Sequence, residues 1–447
     1  MMASWRTALP PCLLVLTAAA AAGCSTSVEA DQAQAADDCS TVGQNRFLFE
    51  LMKDVYLWHD LVPDVAYEDY PSPEALLQDL VHEERDRWSY IMSKSDQEAY
   101  YDEARMLGFG FRWMFDEEDS VRFAMIYPGS PVSEAGLRRG DKVLEINGLT
   151  IDQIAKDDLW EEVSGPDEEG YEMTLTIERA GAEVFTSAVR KAWFTLTSVL
   201  SPRVVQAGSR KAGYFMLTSF VEPTRAELDS AFAMFREEEI DDLILDLRYN
   251  GGGRLDVERH LASLIHQPEQ VGALLDLTTH NERHREWDKR TVFEELDQVP
   301  AVSRLVVITS GGTASASEVL INSLRPYLDV TLVGSTTHGK PVGMYGWHHC
   351  DKTINPIAFR VVNADGEGDY FDGMAPDCVA EDALGVELGD ASEASLAEAL
   401  HVLEHGACSA SAAPAGAGER RAVLSERRAA PRREIPWRGF RREVGAL

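Results

Sequence analysis

Positive charge is scarce in this sequence. Its 447 residues carry 75 Asp and Glu against 42 Lys and Arg, a formal net charge of −33. Binding a phosphate backbone needs a basic face, so no nucleic-acid partner is expected. The basic exception is the end of the chain, where nine Arg stand against four Glu from Ser409 onward. Long apolar runs are missing too. The run from Leu13 to Ala22 is too short to cross a hydrocarbon core of ~30 Å as a helix. Nor is there a phosphate-cradling loop or dinucleotide fingerprint, because Gly251-Gly252-Gly253 lacks a following Lys-Ser/Thr or a spaced third glycine. No cofactor is expected. What is present, 45% hydrophobic and 26% charged residues, is the balance of an ordinary globular chain long enough for several domains.

The first 23 residues have the layout of an export signal: Arg6, then the apolar run, then Gly23-Cys24. Ala21-Ala22-Gly23-Cys24 resembles a bacterial lipoprotein signal, which implies lipidation of Cys24 and a membrane anchor. Plain secretion is the alternative. Residues 24–44 then form a linker, and the expected location is the bacterial cell envelope. Cysteine is sparse, with six residues. With Cys12 removed and Cys24 lipidated, an even four remain for an oxidising compartment. Cys350 and Cys378 bracket one segment and are expected to pair, leaving Cys39 for Cys408. Residues 407–447, rich in Ala, Pro and Arg, read as a disordered basic tail.

Three regions follow one another between these ends. Residues 45–103 read as a small helical domain: apolar residues recur at helical spacing from Arg46 to Trp58. Ser72-Pro73 is the start signal of a second helix. Residues 104–192 change to strands around a short helix ended by Gly136, a Gly140-Asp141 turn and an Asn147-Gly148 hairpin turn. The stretch Tyr127 to Gly148 resembles a PDZ domain of the bacterial protease type. That resemblance makes Gly108, Phe109, Gly110 and Phe111 the loop that captures a peptide's C-terminal carboxylate. Residues 193–406 alternate strand, turn and helix, which argues an α/β domain with parallel strands. The fold class is thus multidomain α+β.

The chemistry concentrates at Thr313-Ala314-Ser315-Ala316-Ser317-Glu318 and Gly339-Lys340. A strand-to-helix junction offers unpaired N–H groups and a helix dipole to developing negative charge, and Ser315 sits there. Its base is expected to be Lys340, which follows the next strand. A desolvated lysine can fall far below its usual ~10.4 and accept a serine proton. Ser317 is the other candidate nucleophile. His280 and His284, at i and i+4, lack the intervening acid of a zinc-protease helix, so no metal site is expected.

Asp246 to Gly253, Thr313 to Glu318 and Gly339-Lys340, behind a PDZ domain, resemble the C-terminal-processing (tail-specific) serine peptidases. The resemblance implies an α/β (crotonase/ClpP-like) peptidase domain and an endopeptidase that cleaves unfolded or tail-exposed polypeptides. It makes Ser315 the nucleophile, Lys340 the base and Glu318 the acid that orients it. Gly251, Gly252 and Ala316 become the oxyanion hole. Many family members have Gln four residues after the lysine, where this chain has Met344. Two other classes stay open: a catalytically silent peptide-binding lipoprotein, and a crotonase-type acyl-thioester enzyme.

Overall fold

The computed structural model describes residues 38–412, apart from positions 117, 267 and 298. The expected signal segment, the Cys24 anchor and most of the basic tail lie outside the described residues.

The N-terminal region opens with helix Thr41–Val55, capped by the Ser40 hydroxyl accepting from the Gly43 N–H. It therefore starts five residues before the apolar periodicity does, because a cap and not the stripe sets a helix's first turn. The Ser72 cap and Pro73 start of helix Pro73–Leu80 are as expected. Leu48, Leu51, Met52 and Val55 bury their face against Leu76, Leu77 and Leu80. Asn45 ties the two helices' connection by donating to the Tyr67 and Tyr70 carbonyls. The region is not all helix. Strand Tyr90–Ser93 pairs antiparallel with Lys352–Asn355, more than 250 residues downstream. The same apolar cluster takes in Ala314, Val342, Met344, Ile354 and Ile357 of the C-terminal α/β domain.

The PDZ region is a six-stranded sheet in the order Phe111–Phe115, Val121–Ile126, Lys142–Ile146, Glu172–Glu178, Phe185–Arg190, with the short strand Leu149–Thr150 pairing off Lys142–Ile146. Asn147 and Gly148 both have positive φ, as a two-residue hairpin turn requires.

The C-terminal α/β domain is built on a six-stranded sheet: Val199–Ala207, Arg210–Leu217, Asp242–Asp246, Arg304–Thr309, Asp329–Gly334, Cys378–Val379. The first pair is antiparallel and the rest parallel. Its strands read as continuous apolar runs because both faces are covered. Leu243, Leu245, Leu305 and Val307 meet helices Thr224–Glu237, Leu255–Ile265 and Ala316–Leu324. Ile244, Val306 and Ile308 meet helix Ala394–His405 on the other face.

The expected cysteine pairing is corrected. The bonds are Cys39–Cys350 and Cys378–Cys408. Cys350 sits in the turn between Trp347–His349 and Lys352–Asn355, in the sheet that strand Tyr90–Ser93 joins. Cys378 opens the edge strand of the other sheet. Sequence proximity had suggested Cys350–Cys378, but the two lie on separate sheets, and each staples one end of the described residues. Cys408 is thereby part of the folded body rather than of a tail beginning at 407, and the Val379 N–H donates to the Ala412 carbonyl.

Candidate active site

Ser315 ends the loop after strand Arg304–Thr309 and precedes helix Ala316–Leu324. Its φ of 59° and ψ of −119° place a non-glycine residue in a sparsely populated region, at a cost of about 1–3 kcal/mol. Such a sharp strand-to-helix turn lifts a hydroxyl out of the backbone's own hydrogen-bonding pattern. The Ser315 Oγ is buried and has no hydrogen-bond partner among the described residues. Ser317 is different: its hydroxyl donates to the Asn250 carbonyl at 3.0 Å, a structural tie between the serine helix and the glycine loop.

That loop runs against Ser315. A Cβ on Gly252, whose φ is +108°, would lie 2.8 Å from the Ser315 Cβ and 3.0 Å from the Ala316 nitrogen. Only glycine fits. Asn250 organises the turn, its carbonyl accepting from the Ala314 N–H and its Oδ1 from the Gly252 N–H at 2.8 Å. The Gly252 N–H is thus directed into the loop and not toward the cleft, because the Asn250 side chain closes an Asx turn on it. Gly251 lies within this turn, and Ala316 opens the helix that follows Ser315. Asn250 itself was not singled out from sequence, although an Asn before three glycines is a turn signal.

Glu318 holds the two motifs together. It is fully buried, and its carboxylate accepts from four donors: the Ser315 N–H (2.9 Å), the Thr337 hydroxyl (2.6 Å), and the Gly339 (2.7 Å) and Lys340 (2.8 Å) N–H groups. Burial raises its pKa, and those four donors oppose the rise. The acid therefore grips the backbone on both sides of the site, including the main chain of Lys340.

Lys340 is 0% exposed. Burial pushes its ammonium down from the usual 10.5 to about 7, against the raising fields of Asp86 and Glu318. Next to it, His338 is lowered to about 4 by burial and by Arg87 and Lys340, so the imidazole is neutral above that value. His338 receives the Trp88 indole N–H on Nε2 at 3.2 Å, while its carbonyl accepts from Arg87. These N-terminal contacts were not legible in the sequence. Met344 is 0% exposed and packs in the apolar cluster of the N-terminal helices.

The PDZ loop expected to bind a peptide terminus joins two strands. Gly108 closes Arg105–Gly108 and Phe111 opens Phe111–Phe115. Phe109 is buried, and Gly110 has φ of +81° with the Ser130 side chain only 2.0 Å from a notional Cβ. The loop lines a cavity of about 2120 Å³ whose far wall includes Tyr249 and Ser310 to Gly312, though neither Ser315 nor Lys340. Arg139 of the PDZ region donates to the Tyr249 hydroxyl at 2.8 Å, adjoining the Asn250 turn. Of the histidines set aside earlier, His280 bonds Asp288 and Tyr345, and His284 stacks on Trp287.

Three protein-family models match this chain: "Peptidase S41 N-terminal domain" over residues 43–90, "PDZ domain" over 103–178 and "Peptidase family S41" over 211–378. The peptidase family S41 model thus matches residues 211–378, the part of the chain that carries the Ser315 and Lys340 motifs. Among curated S41-type relatives, a protein named as a CtpA-like serine protease of Staphylococcus saprophyticus is 25% identical over 68% of this chain and 60% of its own length. A Staphylococcus aureus protein of the same name is 26% identical over 60% of this chain and 52% of its own length. The chain thus spans about half to three-fifths of the curated relatives it matches. Among solved structures, an S41 protease from Bacteroides fragilis aligns with a TM-score of 0.66 at 24% identity, over 80% of this chain and 96% of that one. A photosystem II D1 C-terminal processing protease aligns with a TM-score of 0.50 at 20% identity, over 84% and 98%. At these identities the likeness is one of fold. No helix among the described residues is long and apolar enough to cross a membrane.

Proposed function

We propose that this chain is an S41 member, an exported serine endopeptidase that cleaves polypeptides with accessible C-termini through a Ser315/Lys340 dyad. The observation that carries the reading is a wholly buried lysine, its pKa brought to about 7, whose backbone N–H shares the Glu318 carboxylate with that of a strained, unbonded serine. In the neutral form its amine accepts the Ser315 proton as Oγ attacks the scissile carbonyl. The oxyanion forms against the Gly251 and Ala316 N–H groups, at the positive end of the Ala316–Leu324 helix. Two such donors contribute several kcal/mol to transition-state stabilisation, on the order of 3 each. The lysine ammonium then protonates the leaving amine, and water cleaves the acyl-serine by the same proton transfers in reverse order.

The PDZ region supports recruitment of a chain terminus. A peptide adding beside Phe111–Phe115 would present its carboxylate to the Gly108–Phe111 loop, and the cavity continues to the outer side of the serine loop. Two disulfides fit an oxidising compartment, and a lipid anchor on Cys24 is part of the proposal. The test is incubation of the purified protein with an unstructured polypeptide. Ser315→Ala and Lys340→Ala should each abolish cleavage while circular dichroism stays native, and Ser317→Ala should not. Cleavage that survives Ser315→Ala would refute the assignment.

A further inference from the structure

Glu318 commits both carboxylate oxygens to backbone N–H groups and Thr337, and Met344 is enclosed by hydrocarbon. Glu318 and Asp86 both raise the Lys340 proton affinity, and of the two only Asp86 comes from outside the serine helix, from the N-terminal domain. Asp86 is 4% exposed and held by four donors. Its Oδ1 accepts from the Trp88 and Ser89 N–H groups, both at 2.9 Å, and its Oδ2 accepts from the Tyr56 hydroxyl (2.8 Å) and the Ser89 hydroxyl (2.5 Å). Such a carboxylate is fixed in place.

The turn that carries it is fastened to the lysine loop at several points. Arg87 donates to the His338 carbonyl and Trp88 to the His338 ring. The Ile357 N–H donates to the Ser89 hydroxyl, and Trp88 lies against Phe371. Strand Tyr90–Ser93 then locks the segment into the peptidase domain. We propose that Asp86 is a positioning residue for the Lys340 base, an N-terminal-domain carboxylate that orients the amine and sets its proton affinity.

This inference rests on the dyad proposed above. Asp86 of the N-terminal domain and Glu318 of the serine helix act electrostatically on the amine, and Arg87 and Lys340 act on His338 of the lysine's own loop. Both carboxylates oppose the lowering of the Lys340 pKa by burial. The negative charge of Asp86 favours the ammonium, so its removal must shift the lysine midpoint downward.

The test titrates the Lys340 ε-carbon by NMR, alongside the pH profile of proteolysis, in wild type, Asp86→Asn and Tyr56→Phe. Asp86→Asn should lower the lysine midpoint and the acid limb together by about 1–2 pH units. The high-pH plateau should fall roughly 10–100-fold, because the neutral amine is no longer oriented. Tyr56→Phe removes one donor from Asp86, strengthens its field at the amine, and should move the midpoint upward. A purely structural Asp86 would change the plateau and leave both midpoints where they are. An unmoved midpoint in folded Asp86→Asn overturns the inference. Should that variant not fold, an unmoved or lowered midpoint in Tyr56→Phe does so. The NMR titration needs no turnover, so failure of the dyad reading, seen as cleavage by Ser315→Ala, is distinguished from failure here.

Discussion

The two halves of the proposed dyad are held in different ways. Ser315 is positioned by its neighbours in sequence and by one adjacent turn: the strained junction, the first turn of its own helix, and the Asn250–Gly252 loop. The Lys340 loop is held from afar, by Glu318 on one side and by the Asp86–Ser89 turn, some 250 residues upstream, on the other. A nucleophile's placement is a matter of backbone geometry that a short motif can encode. A base's proton affinity is the sum of burial and field, and burial is supplied by whatever packs over it. The serine side of the site is local, and the lysine side is tertiary.

Breaking the one residue that serves both halves should have the largest effect. Glu318→Gln replaces an acceptor of four donors with an amide whose NH2 must face some of them. Proteolysis should fall roughly 10–100-fold, and folding stability by about 1–3 kcal/mol, read by denaturant titration. Because the substitution also removes an anion near Lys340, the loss should be smaller at neutral pH than at high pH.

Removing only the tertiary half should show its cost to the fold. Lys340 binds its proton more weakly folded than unfolded, with a midpoint near 7 against the usual 10.5. Between those values the unfolded chain holds more protons, so native stability gained from this group rises with pH, and its burial cost is complete below pH 7. Lys340→Met should therefore stabilise the inactive protein by on the order of 1–3 kcal/mol at pH 6, and the gain should shrink steadily toward pH 10. Thermal melts across that range decide it; a gain independent of pH would mean that the lysine is not a buried cation in the acid form.

The smallest change in activity is expected from Met344→Gln. The family-like amide would enter the apolar cluster around Leu48, Leu51 and Ile357. It should cost about 1–3 kcal/mol of stability as a buried polar group, yet leave kcat/KM within a fewfold of wild type. An activity gain with an acid-shifted profile would show that the side chain reaches the amine after all.

The same division explains what the sequence could and could not reveal. Strand Arg304–Thr309, the Ser315 junction and the Asn147-Gly148 hairpin are local patterns, and they lie where the periodicity and turn residues put them. Ser72 and Pro73 likewise mark the second helix. Asp86 carries no local signal, because an Asp within a charged stretch looks like a solvated surface residue until Tyr56 and Ser89 close over it. Strand Tyr90–Ser93 was hidden for the same reason, since its partner strand is remote and its alternation is short. The disulfides failed on the same ground: closeness in sequence favoured Cys350–Cys378, while the fold joins Cys350 to Cys39 and Cys378 to Cys408.

The most direct test of the central claim is the rate at which a serine-reactive phosphonate fluoride modifies Ser315 as a function of pH, in wild type and in Lys340→Ala. The lysine base predicts a rate in wild type that rises through a single ionisation near pH 7 and then stays level to pH 9, and a low rate without that step in Lys340→Ala. A wild-type rate that is flat or falling between pH 6 and 9, in protein that remains folded, would contradict it.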